Sequence, residues 1–201
     1  MPARAIDIDL RRPFRRVDAL AAGVSASALR GRNFRQLFHG VYVHCSVPPH
    51  PLLRVQAALT LHPPTAFASH ASAARVYGVP LPTLPDEHVS VLRPQDRRRR
   101  VGIRNHVVSR TAPVAVVHGL RVSSPEQVFV ELTEQLGLVD LVVVGDALVR
   151  ARRTTPERLV AFAATSTAPG ARAARRAAAY VRRKVDSPME TRLRMLIVLA
   201  G

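Results

Sequence analysis

Val17-Asp18-Ala19-Leu20-Ala21-Ala22-Gly23-Val24-Ser25-Ala26-Ser27-Ala28-Leu29-Arg30, followed closely by Leu37-Phe38-His39-Gly40-Val41-Tyr42-Val43, is the stretch on which the fold turns. Val17–Ala22 reads as a short helix, and Gly23 suits the left-handed position that follows a C-cap. Ser25 precedes Ala26–Arg30 as an N-cap, because its hydroxyl accepts from an amide that the helix itself leaves unbonded. Leu29 faces inward, and Gly31–Asn33 ends this second helix. Leu37–Val43 is rich in β-branched and aromatic residues, a strand signal with Gly40 at a bulge. Two short helices across a glycine turn, then a basic β segment, outline a winged helix-turn-helix over residues 1–46.

Outward from that stretch the chain reads as α+β. Val47–Pro51 and Val79–Pro85 are proline-rich joints, where a donor is missing and the preceding residue is restricted. Between and beyond them, residues 47–122 form a small α+β unit. Leu52–Leu61 is helical, Ser69 caps His70–Tyr77, and β runs follow at His88–Leu92, Val101–Val108, Val114–Val117 and Leu120–Val122. Arg97–Arg100 lies between two of these runs as a hairpin loop. Residues 123–185 form a helical unit. Ser124-Pro125-Glu126-Gln127 and Thr155-Pro156-Glu157 are cap-then-proline starts, and Ala171–Lys184 carries Arg at helical spacings. Ser187-Pro188-Met189-Glu190 is a capping box that opens a last helix over residues 186–201. That helix is apolar on most of its final turns, so it wants a surface to bury it. It reads as the opening helix of a further domain, with packing back on the preceding helical unit as the alternative.

The 201 residues carry 30 Lys+Arg against 14 Asp+Glu, a formal charge of +16, with 47% hydrophobic residues. An excess of this size points to a polyanionic partner, chiefly nucleic acid. Lys184 is the only lysine, which reflects coding bias but does not explain the shortage of acids. The cations concentrate in Met1–Cys45, Arg93–Arg110 and Arg172–Lys184. Arg97–Arg100 reads either as a phosphate grip or as a solvated loop. Arg172, Arg175, Arg176, Arg182 and Arg183 read as a solvated face or as a cover for an acidic neighbour. The longest apolar runs, Leu159–Ala164 and Met195–Ala200, fall far short of the ~20 residues that span a bilayer. At the N-terminus Ile6, Ile8 and Leu10 alternate with Asp7, Asp9 and Arg11, unlike a secretory leader. No membrane partner and a cytoplasmic location are expected. A single cysteine, Cys45, leaves no disulfide framework and no paired-cysteine zinc site. His39, His44 and His50 lie near it without structural-zinc spacing, so no metal is assigned.

Three motifs in order resemble known families. Val17–Ser25 leading to Phe38–Tyr42 resembles the N-terminal winged helix of AbiEi-family antitoxins. Ala68-Ser69-His70-Ala71-Ser72-Ala73-Ala74-Arg75 with Tyr77-Gly78-Val79, then Gly119–Glu126, is similar to the domain that follows it. Ser187–Leu193 through Leu199-Ala200-Gly201 looks like the first helix of a very-short-patch-repair-like, restriction-endonuclease-like domain. Actinobacterial fused proteins combine all three. The resemblance implies a DNA-binding, autoregulatory antitoxin or transcriptional regulator. It also implies a nucleotidyltransferase-like toxin as a partner beside double-stranded DNA. The alternative it carries is the targeting half of a metal-dependent endonuclease whose catalytic domain lies beyond residue 201, the one case in which Mg²⁺ would be the cofactor. No cofactor is otherwise expected.

On the DNA reading, Ser25, Ser27, Arg30, Arg32 and Asn33 form the reading surface. The forks of Arg and Asn match guanine O6/N7 and adenine N6/N7. Arg15 and Arg16 before it, and Arg35 and His39 on the β segment after it, suit phosphates, which position the protein without specifying sequence. No catalytic residue is expected in the chain. Glu190 is the acid that the nuclease resemblance places near a metal site, and it is also the N3 partner of Ser187. A nuclease of that class needs a D/E-x-K triplet to hold Mg²⁺ and polarise water. Arg182 stands two residues before the only lysine, so the triplet is missing from these residues. Addition of Mg²⁺ or Mn²⁺ to the purified 201-residue chain is therefore expected to give no nicking of supercoiled plasmid, measured on agarose gels.

Overall fold

The computed structural model describes residues 8–201 and is mixed α+β. Ile6 and Asp7, part of the N-terminal alternation, lie outside the described residues. The chain begins with β1 (Phe14–Arg15), α1 (Arg16–Ala21), α2 (Ala26–Arg30), β2 (Phe34–Phe38), β3 (Val41–His44) and α3 (Pro51–Thr60). It continues through β4 (Phe67–Ala68), α4 (His70–Val76), β5 (Glu87–Val91), β6 (Ile103–Val107), β7 (Val114–Val117) and β8 (Leu120–Ser123). Helices α5 (Pro125–Glu131), α6 (Leu138–Arg150), α7 (Pro156–Thr165), α8 (Ala171–Ala178) and α9 (Pro188–Ala200) complete it. Two compact units result. The first comprises the chain up to Phe67 together with Pro85–Arg110, the second Ala68–Leu84 together with Thr111–Gly201.

In the first unit an antiparallel sheet of order β1-β3-β2 packs against α1 and α2. Phe14, Ala19 and Leu29 form the buried centre, with Val24, Phe34 and Tyr42 around them. Phe14 meets Phe34 edge-on at 5.8 Å and stacks on Tyr42 at 6.4 Å, geometries that aromatic quadrupoles favour. The expected single strand Leu37–Val43 is instead a hairpin. Its register slips between Gln36 and Phe38, so the bulge lies there rather than at Gly40. Gly40 makes the turn, with φ of +79°, a conformation that costs a Cβ-bearing residue strain.

A second core in this unit joins Phe38 and Val41 to Ala57 and Ala58 of α3 and to Val89, Val91 and Ile103 of β5 and β6. The β5–β6 pairing is parallel, Glu87 opposite Ile103 through Val91 opposite Val107. Arg97–Arg100 is therefore not a hairpin loop. Parallel neighbours need a connection that returns along the strand, and Leu92–Gly102 provides it, with one 3-10 turn at Pro94–Asp96. Asn105 holds that connection in place. Its Oδ1 accepts from the Arg98 N–H at 3.2 Å and its Nδ2 donates to the Arg98 carbonyl at 2.9 Å.

The second unit is built around α6, whose residues Leu141–Leu148 are all buried. Gly145 permits the closest approach: a Cβ there would stand 2.4 Å from Val181 Cγ2 and 2.9 Å from Phe129 Cε2. The caps read from the sequence form at Ser124, Thr155 and Ser187, each accepting from the amide three residues on. At the last of these the Glu190 carboxylate reaches back one residue beyond the cap and accepts from the Asp186 N–H at 3.0 Å. The expected helix Ala171–Lys184 stops at Ala178, because Asp146 captures the Arg182 N–H at 2.8 Å and turns the chain.

Asp146 is also where α9 attaches. Its Oδ2 accepts from Thr191 Oγ1 at 2.7 Å and from Arg194 Nη2 at 2.6 Å, and the carboxylate is 3% exposed. Met195 is buried beside them. One face of α9 thus packs on α6, while Leu193, Leu196 and Ile197 remain exposed. Among the described residues no helix is long and apolar enough to cross a membrane.

Removal of one partner from a buried charged pair leaves the other uncompensated. Asp146→Ala is expected to lower the unfolding free energy by about 2–4 kcal/mol in urea titrations. Arg192→Ala, which breaks the exposed 2.5 Å pair with Asp140, is expected to cost under about 1 kcal/mol.

Candidate nucleic-acid interface

Helix α2 has five residues, and Leu29 is the one it buries. That single anchor fixes its rotation and turns Ser27, Ala28 and Arg30 outward. Ser25 is spent on the helix itself. Its Oγ accepts from the Ala28 N–H at 3.1 Å and lies 2.9 Å from Ser27 Oγ. The Gly31 N–H donates to the Ala28 carbonyl and closes the helix, and Arg32 and Asn33 follow on an exposed exit. The Asn33 carbonyl accepts from the Cys45 N–H at 2.8 Å, which ties that exit to the end of β3. The side chains of Arg30, Arg32 and Asn33 are exposed and make no hydrogen bond or ion pair among the described residues.

The expected phosphate contacts divide. Arg16 and His39 are exposed and unpaired among the described residues. The Arg16 N–H donates to the Gly40 carbonyl at 2.8 Å, which places the start of α1 at the β2–β3 turn. Arg15 is partly neutralised by Asp18, through bonds of 2.8 and 2.7 Å that hold the Asp18 carboxyl below its usual range. Arg35 is committed to the Val47 carbonyl at 2.9 Å and fastens β2 to the linker. The eight residues other than Arg35 that were read from the sequence thus lie on or beside one helix and one hairpin turn, but Ser25, Arg15 and Arg35 have internal work to do.

Sequence reasoning gave no role to Arg54. Its guanidinium carbon lies 4.6 Å over the Phe38 ring and its Nε 3.6 Å from the buried Glu87 carboxylate. An arginine spaced to reach back from α3 carries no local signal, because both partners are remote in sequence. His88 and His106 also lie together, their rings stacked at 5.2 Å with Nδ1 and Nε2 3.0 Å apart. An N–H···N hydrogen bond accounts for that spacing. Burial holds the His106 imidazole below its usual range, with Arg104 and Arg97 adding to the effect. His44 is bonded to Ser46 Oγ at 2.7 Å, and Cys45 is exposed.

No family model and no characterised protein matches this chain.

Perturbed carboxylates mark sites of chemistry often enough to be worth tracing, and in the second unit Glu131 is one. It accepts from the His70 N–H at 2.7 Å, from Ser123 Oγ at 2.9 Å and from Gln127 Nε2 at 3.2 Å. The expectation that Ser69 caps α4 is thereby corrected. Ser69 Oγ lies 3.1 Å from His70 Nδ1 and makes no cap bond, and the amide at the head of the helix goes to Glu131. His70 is buried, and its φ of +49° is uncommon for a residue with a Cβ. Tyr77 donates to the Ser123 carbonyl at 2.9 Å, and burial pushes its hydroxyl up to about 12. The arrangement positions backbone. Ser69 Oγ and Glu131 Oε2 both approach Nδ1 of the His70 ring, at 3.1 and 3.6 Å, and Glu134 Oε2 lies 3.7 Å from its Nε2.

Burial pushes the Glu131 carboxyl from 4.5 up to about 7, outweighing the three donors that favour its charge. The folded chain then holds this proton up to about pH 7, whereas the unfolded chain releases it near 4.5. Its stabilising contribution is complete below the lower value and is lost as pH rises through the upper one. The loss is worth about 3 kcal/mol. Urea titrations from about pH 4.5 to about pH 8 are expected to show this decline, and Glu131→Gln, which cannot titrate, to remove most of it.

Proposed function

We propose that this chain is a double-stranded DNA-binding protein that reads sequence with α2 and its exit, in the manner of an autoregulatory, AbiEi-like antitoxin or transcriptional regulator. The single observation that carries the reading is the set Arg30, Arg32 and Asn33, exposed and unpaired at the end of a short helix in a chain of formal charge +16. The order β1-α1-α2-β2-β3 supports it: on this reading α2 serves as the recognition helix and the β2–β3 hairpin as the wing. Arg30 and Arg32 reach guanine edges and Asn33 an adenine edge in the major groove. Arg16 and His39 sit on phosphates or in the flanking groove, and fix register. A nucleotidyltransferase-like toxin is the proposed protein partner. Neither that contact nor DNA binding requires a cofactor.

The test is a competition between the chain's own upstream region and random duplexes, read by gel shift. Each good base contact is worth about 1–3 kcal/mol of discrimination. The triple variant Arg30→Ala, Arg32→Ala, Asn33→Ala is therefore expected to lose roughly a hundredfold or more of the preference, with an unchanged melting temperature. Unaltered preference would sink the assignment of α2. Wild-type affinity is expected to fall steeply with salt; a protein that only neutralises a toxin through apolar contact would keep its grip at high salt and bind no duplex.

A further inference from the structure

The arginine run between β5 and β6 does not behave as a free loop. Asn105 bonds both sides of the Arg98 peptide, and His62 Nε2 lies 2.6 Å from the same Asn105 oxygen. His62 is itself fastened to α3, with Nδ1 2.8 Å from the Ala58 carbonyl. The backbone of the run is thus pinned to the core, while Arg97–Arg100 are all exposed. Arg97 and Arg99 have no side-chain partner among the described residues, and Arg100 reaches only the Arg99 carbonyl at 3.0 Å. A charge held on an ordered backbone gives up less freedom on binding than one on a mobile loop. That favours a contact surface over mere solvation.

Its place in the first unit is equally specific. Gly102, which ends the connection two residues beyond the run, faces Phe38 and Arg54: a Cβ there would lie 3.5 Å from Phe38 Cε1 and 3.4 Å from Arg54 Nη2. Phe38 is the last residue of β2 before the His39–Gly40 turn. The arginine run therefore adjoins the hairpin-turn end of β2, and the α2 exit adjoins the other end. Arg54, 47% exposed, lies over the Phe38 ring of the hairpin with its Nε 3.6 Å from Glu87 of β5. The five residues of β2 cover about 17 Å, half of the ~34 Å repeat of a DNA duplex. A backbone half a turn away from the groove that α2 enters would be met by this end of the unit.

We propose that the Arg97–Arg100 crossover is a second contact surface of the first unit, gripping the phosphate backbone of the same duplex beyond the wing turn. The proposal rests on the DNA-binding reading above. Its contribution is sequence-independent, because guanidinium–phosphate bonds carry no base information. Each phosphate neutralised adds close to one to the slope of log affinity against log salt.

The experiment is fluorescence anisotropy with a labelled 30-base-pair duplex and the full 201-residue chain, titrated across roughly 50–300 mM salt. The variants are the triple Arg97→Ala, Arg99→Ala, Arg100→Ala, its all-Lys counterpart, and the single Arg99→Glu. The Ala triple is expected to weaken binding at least about tenfold on specific and random duplexes alike, with a salt slope shallower by about 2–3. The Lys triple should keep most of the slope. Arg99→Glu should weaken binding more than Arg99→Ala does, and keeps the question decidable if the Ala triple folds poorly. A wild type that binds DNA, with variants of equal affinity and slope, overturns this inference alone. Loss of sequence preference in the Ala triple also overturns it, since that would make the run a base reader. A wild type that binds no duplex at any salt overturns both this inference and the reading on which it rests.

Discussion

A five-residue helix has too few internal hydrogen bonds to persist by itself, so the exposed polar edge of the first unit depends on how one leucine is buried. Leu29 packs into the pocket of Phe14 and Ala19, and Phe14 in turn is clasped between Phe34 and Tyr42 of the adjoining strands. This small aromatic cluster sets the rotation of α2 and the exit that carries Arg32 and Asn33. It also explains why the caps and turns are so exact in their chemistry. Ser25 holds the first turn and Gly40 closes the hairpin that supplies both aromatic walls.

The second unit relies on a different device, a buried carboxylate used as a clamp. Asp146 gathers a backbone amide from Arg182, a hydroxyl from Thr191 and a guanidinium from Arg194. Glu131 plays the same part for the head of α4, and Glu126 for Thr154 and Arg158, at 2.6 and 3.0 Å. Burying such groups is costly unless donors compensate them, and each of these carboxylates has two or more, both of those at Glu126 meeting Oε1.

The few acids of this basic chain are largely spent on arginines. Asp18, Asp86, Glu87, Asp140 and Glu157 each face an arginine. Apart from the pair at buried Glu87, these exposed pairs add little stability, but they remove local repulsion. Exposed arginines without a carboxylate partner include Arg30 and Arg32 at the end of α2, the Arg97–Arg100 run and those of α8. A surplus of that kind costs the folded state self-repulsion and favours polyanions as partners.

Much of the architecture is legible locally. Ser25, Ser124, Thr155 and Ser187 cap helices because a hydroxyl at that position has an amide within reach three residues on, and proline at N1 reinforces three of the four. The exposure of Arg30 also follows from local spacing, once Leu29 is taken as the inward residue. What sequence alone left undecided are relations between residues distant along the chain. Strand direction is one: alternation of side chains is identical in parallel and antiparallel strands, so Arg97–Arg100 read as a hairpin until β5 and β6 were seen to run the same way. Partner choice is the other. Ser69 has the right position for a cap, yet its hydroxyl turns to His70 Nδ1, and the first amide of the helix goes to a buried carboxyl on α5. Asp146 likewise looked unremarkable within its own helix, and its importance arises from donors between 36 and 48 residues away. Local hydrogen-bond chemistry was fixed by sequence; the pairing of charges and strands was decided by tertiary packing, because only there is the competition for buried donors resolved.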